Sequence, residues 1–206
     1  MHLRVPASLR RVVSVIATGV LVVSLAACNG RGGGQLPAAS PVFMAPASFG
    51  FDFSCERSSK STSPNAPAGR LRIQVAYVEH GANPLGSGFA IHGTVDIIDS
   101  VLESQICIGQ NPPPGVNELI FLGRFSLDTA RPAGFPTSCP TKQTGASSLC
   151  RFEIVVRDND LSRGPSQGDA FAIRLSSATA VTSTFDATTV FYARAGLLSS
   201  GNLTVD

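Results

Sequence analysis

The chain has 206 residues, 16 basic and 14 acidic, for a formal charge of +2. That balance supplies neither a basic stripe for nucleic acid nor an acidic tail, so nucleic acid is not an expected partner. Tryptophan is absent and Tyr77 and Tyr192 are the only tyrosines, which argues against a sugar-stacking platform built on large aromatics.

Residues 1–27 come first and have the layout of an export signal. Arg4, Arg10 and Arg11 precede Val12–Ala27, an apolar or small run broken by Ser14, Thr18, Gly19 and Ser24. At about 16 residues the run is short for a membrane span of roughly 20. Small residues then lead to a cleavage point, as a signal peptide requires. The ending Leu25-Ala26-Ala27-Cys28 resembles the lipobox of bacterial lipoproteins. The resemblance implies a diacylglycerol on the Cys28 sulfur, cleavage before Cys28, and acylation of its new amine. It implies a membrane partner through that lipid and a place in the bacterial cell envelope. Asn29 follows, where lipoproteins retained at the enterobacterial inner membrane carry aspartate, so the outer membrane is the expected address. Two or three acyl chains would hold far better than one, at about 0.8 kcal/mol per buried CH2. Losing the three signal arginines leaves 13 basic against 14 acidic residues, a net charge of −1.

Residues 28–48 read as a lipidated tether. Arg31-Gly32-Gly33-Gly34, then Pro37, Pro41 and Pro46, carry no sustained periodicity. As a coil of about 19 residues it would span roughly 25 Å.

Residues 49–206 read as one domain of alternating runs, the pattern of antiparallel strands with one buried face. Phe49, Phe51, Phe53 and Cys55 form the first, and Leu71, Ile73, Val75 and Tyr77 the second. Phe89, Ile91, Val95 and Ile97 follow; Leu119, Phe121, Phe125 and Leu127 share a face across Gly123. Cys150–Val156, Phe171–Leu175, Val190–Leu197 and Leu203–Val205 complete the set, with a short helical candidate over Ile98–Gln105. Proline and glycine turns separate these runs. The expected fold is all-β: a single antiparallel β-sandwich or open barrel of about eight strands with two disulfides. With Cys28 given to lipid, Cys55, Cys107, Cys139 and Cys150 remain, and three pairings are possible. Cys139 and Cys150 flank a short polar loop and pair best with each other, which leaves Cys55 with Cys107. Closing that loop is worth roughly 3 kcal/mol in the chain-entropy model. No two cysteines have C-x2-C spacing, which disfavours zinc.

Three segments resemble a class of small secreted bacterial β-domains, the post-COAP domains: Gly88–Val95, Phe152–Asp160 continuing into Gly168–Ile173, and Ser200–Val205. An extra cysteine pair and a proline-rich insertion near Pro112 depart from that class. The resemblance implies a β-sandwich and carries over no catalytic residues.

The best local candidate for chemistry is Asp158–Asp169. Asp158, Asp160, Ser162 and Asp169 fall at positions 1, 3, 5 and 12 of a twelve-residue loop, the oxygen-rich spacing that calcium uses. Arg163 stands where such a loop needs glycine, and aspartates also cap turns by bonding backbone. Of the mature histidines, His80 and His92 have Glu79, Asp96 and Asp99 near in sequence, but no G-x-S-x-G supplies a nucleophile. Ser58–Ser63 with Lys60 reads as a polar loop, and Asn202-Leu203-Thr204 as an inert glycosylation match. No catalytic residue is nominated. The leading expectation is a membrane-anchored envelope lipoprotein, non-catalytic, acting as a structural or protein-interaction module. The alternatives are an exported hydrolase with an unrecognised site and a calcium-dependent binding domain using Asp158, Asp160 and Asp169.

Overall fold

A computed structural model describes residues 30–56, 70–94, 117–141, 148–159, 168–177 and 185–205. Nine strands follow in chain order: β1 (Gly30–Leu36), β2 (Ala47–Glu56), β3 (Arg70–Glu79), β4 (Phe89–Thr94), β5 (Glu118–Leu127), β6 (Cys150–Arg157), β7 (Ala170–Ser177), β8 (Val190–Leu197) and β9 (Ser200–Val205). The fold is all-β, and every strand pair is antiparallel. Among the described residues, no helix is long and apolar enough to cross a membrane.

From β2 to β8 each strand pairs with the next in sequence. The sheet then curls, because only Leu198 and Ser199 separate β8 on β7 from β9 on β1. The last stretch of chain is thus one bent ribbon that changes partner halfway and draws the two sheet edges together. Asp169 stitches the corner: its carbonyl accepts the Leu198 amide at 2.9 Å and its Oδ2 the Leu203 amide at 3.0 Å. Of the two architectures expected, this is the open barrel.

The alternating residues point as their period requires. Phe49, Phe51 and Phe53 on β2 are buried, with Ile73, Val75 and Tyr77 on β3 and Phe171, Ile173 and Leu175 on β7. The inside is packed by rings. Phe49 and Phe171 stack with centroids 3.7 Å apart, while Phe51 and Phe53 each lie 5.5 Å from Phe121. Phe152 fills the room over Gly93 and Gly123, where a Cβ would come within 2.5 Å and 2.4 Å of its ring. Burying each such ring is worth about 1.5–3 kcal/mol.

The tether expected over residues 28–48 is corrected by this structure. Gly30–Leu36 is a strand in the sheet, paired along its length with β2 and from Gly30 to Gln35 with β9. Its glycines serve close approach rather than slack. A Cβ on Gly32 would sit 2.5 Å from the Asn202 carbonyl oxygen, and one on Gly34 2.5 Å from that of Ser200. The domain therefore begins before residue 49.

The loop from Pro37 to Pro46 is ordered as well. Phe43 and Val42 amides close on the Ala39 carbonyl, and the Met44 amide donates to Ala82 at 3.0 Å. Beside it, residues 128–141 cover the same end of the barrel: Phe135 packs edge-on against Phe89 at 5.1 Å and Phe191 at 5.0 Å. The expected Cys139–Cys150 disulfide is present, with Cα atoms 5.3 Å apart, and fastens this cover to the start of β6. Cys55 lies in β2 opposite Leu71. Cys28, Cys107, Asp160, Ser58–Ser63 and the helix expected over Ile98–Gln105 lie outside the described residues.

Candidate functional site

The most concentrated chemistry is a buried polar cluster under the covered end of the barrel. Glu79 is the last residue of β3 and continues the inward phase of Ile73, Val75 and Tyr77. Arg194 on β8 shares the inward phase of Tyr192. Curling the sheet brings these distant strands face to face. Arg194 Nη1 pairs with Glu79 Oε1, the two side chains being 2% and 0% exposed. Arg194 Nη2 donates to the carbonyls of Pro37 at 2.6 Å and Ala45 at 3.0 Å. Its guanidinium lies over the Phe43 ring, 4.5 Å from the centroid. One side chain therefore holds both ends and the middle of the 37–46 loop.

The other carboxylate oxygen serves the tyrosines. Tyr192 Oη lies 2.5 Å from Glu79 Oε2, Tyr77 Oη lies 3.1 Å from it, and the two phenols are 2.6 Å apart. Two phenolic protons face three contacts, and the distances favour Tyr192 donating to Glu79 while Tyr77 donates to Tyr192. Burial first, and then neighbouring negative charge, raises both phenols above the ordinary tyrosine range. Burial pulls the Arg194 guanidinium down, but its bond to Glu79 and its charged surroundings outweigh this and raise it. The carboxylate and guanidinium are answered by hydrogen bonds, the condition under which a buried pair is tolerated. This is a structural lock: it offers no unpaired acid or base to a substrate.

The residues nominated from sequence fall elsewhere. Asp169 is fully buried, and its Oδ1 accepts the Asn159 amide at 3.0 Å while Oδ2 accepts that of Leu203. Asp158 Oδ2 accepts the Val205 amide at 3.4 Å. Both carboxylates thus tie the 158–169 connection to β9 in the manner of turn-capping aspartates. Among the described residues, no three His, Cys, Asp or Glu side chains are grouped to hold a metal ion. His80 Nε2 lies 2.8 Å from Ser48 Oγ, and His92 Nδ1 lies 3.5 Å from Asp128 Oδ2. The hydroxyl and the carboxylate that a catalytic triad would join are thus given to different imidazoles. Neither contact involves Glu79, which is committed to Arg194.

A second feature lies on the outer wall. Across β5–β8, Ile120, Val155, Ala172 and Ala195 stand opposite one another in one row. The next row is Glu118, Arg157, Ala170 and Leu197. Alanines between larger side chains leave a shallow depression of about 360 Å³, lined by Val155, Ala170, Ala172, Ala195 and Leu197. Ile120 and Leu197 stay 52% and 61% exposed. Ion pairs border it on both sides, Arg157–Glu118 at 2.5 Å and Arg174 with Glu153. An apolar centre with a polar rim is the make-up of a protein-contact patch.

Sequence reading missed the Glu79–Arg194 lock. Its signal was available in the phase: two side chains of opposite charge occupy inward positions of alternating strands. Compared with known proteins, the chain matches no family model, no curated protein and no solved structure.

Proposed function

We propose that this chain is a lipid-anchored protein of the bacterial envelope, at the outer membrane, whose barrel works as a non-catalytic structural or protein-interaction module. The anchor rests on Leu25-Ala26-Ala27-Cys28 after its apolar run. The observation that carries the interaction role is where the free surface chemistry lies. Among the described residues the barrel interior is filled with rings and a satisfied ion pair, whereas a concave apolar surface lies outside, on β5–β8. A wall that exposes Ile120 and Leu197 between ion pairs suits a protein partner better than a small polar substrate.

The test places a photo-crosslinking amino acid at Ile120 in the native host. A discrete adduct, lost when Leu197→Glu is added to a chain that still melts as wild type, is the expected result. Absence of any adduct at Ile120 and at Val155 refutes the interaction role. Mass spectrometry of the mature protein checks the anchor, which requires an acylated Cys28.

A further inference from the structure

We propose that the barrel sits directly on the lipid surface that holds Cys28, with the end carrying Gly30 against phospholipid headgroups. This rests on the lipid-anchor reading of Cys28. Two peptide steps separate Cys28 from Gly30, where β1 starts, and two steps reach at most about 7 Å. The glycine run that resembled slack cannot be paid out. It is hydrogen-bonded between β2 and β9, and the two backbones approach too closely for side chains at Gly32 and Gly34. An acylated cysteine lies at the headgroup boundary, which puts Gly30 within about 7 Å of it.

The described residues around Gly30 have suitable chemistry. Gly30 is paired with Phe53 and Val205 and sits against Leu119 at the start of β5. Around it are Asn117, Asp158 and Asn159, joined by the Asp158 amide to the Asn117 carbonyl at 2.8 Å and by Asn117 Nδ2 to Asn159 Oδ1 at 3.0 Å. These amides and this carboxylate, the described polar groups beside Gly30, suit the hydrated headgroup layer. β1 has seven residues and so rises roughly 20 Å. The loop Pro37–Pro46 therefore lies at the far end, presenting Val42 and Met44, 51% and 59% exposed, away from the lipid.

The experiment uses the full lipidated protein in a supported phosphatidylethanolamine–phosphatidylglycerol bilayer, read by neutron reflectometry. Protein density should begin at the headgroups with no water layer between. Inserting ten Gly/Ser residues between Asn29 and Gly30 should move it outward by roughly 17 Å. A water layer under the native protein, or an insertion that leaves the profile unchanged, overturns the seat while Cys28 is verified as acylated. An unmodified Cys28 in the same preparation removes the anchor reading itself, and the seat with it.

Discussion

Raising the pH should unfold this protein through its two tyrosines, both at once and not before. Tyr77 and Tyr192 are the only tyrosines and there is no tryptophan, so tyrosinate absorbance near 295 nm reports on the buried cluster alone. Their ordinary value is 10.0, and burial raises both in the folded state. The sign follows from proton counting. Above pH 10 the unfolded chain binds fewer protons than the folded one, so stability is fully present below that value and falls as pH rises. With the folded phenols still protonated, two groups together cost about 0.8 kcal/mol at pH 10, about 2.8 at pH 11 and about 5.5 at pH 12. Domains of this kind have roughly 5–15 kcal/mol to lose. A spectrophotometric titration in parallel with far-ultraviolet circular dichroism should therefore show no tyrosinate up to about pH 11. Both phenols should then appear in one cooperative step that coincides with loss of strand signal. A smooth two-proton ionisation centred near pH 10 with the β signal intact would refute the burial argument.

Two substitutions probe the lock and the closure. Arg194→Met should cost about 3–5 kcal/mol in urea unfolding, because it strands the Glu79 carboxylate, and should speed amide exchange across residues 37–46; adding Glu79→Leu should recover part of the loss. Gly201→Ala should cost well over about 2 kcal/mol, since its φ is +115° and the new Cβ would lie 2.2 Å from the Gly33 carbonyl oxygen. Gly86→Ala has a similar φ of +103° but meets no atom within 4 Å, so its cost should stay near 1–2 kcal/mol. Equal losses at the two glycines would remove the close-approach account of closure.

The strands that pack through large side chains were legible because burial writes itself as period two. Phe49–Phe53, Ile73–Tyr77 and Phe171–Leu175 all face inward as that alternation requires. The Cys139–Cys150 bond was legible from spacing alone, since a separation of only 11 residues brings the ends together at little entropic cost. β1 was not legible. A glycine strand carries no alternation, and its requirement for glycine comes from the backbone of β9 about 170 positions away. The long-range partners of the site residues were hidden for a related reason. Asp158 and Asp169 were grouped by local spacing, yet their partners are amides of β9 and the loop; Glu79 found Arg194 across 115 residues instead of a nearby histidine. What periodicity cannot see is which distant strand the curl delivers.

The same curl sets an order for folding. The first described segment, residues 30–46, is held twice by the last one. β9 pairs with β1 from Gln35↔Ser200 to Gly30↔Val205, and Arg194 on β8 grips the Pro37 and Ala45 carbonyls. Contacts of such sequence separation form late, because loop-closure entropy is lost before they repay it. β2 to β7 can pair in chain order, each with its neighbour, before residue 190 is delivered. β1 can meet β2 in that interval, but its other edge stays open until β9 arrives. Closure then fixes the second edge of β1 between β2 and β9.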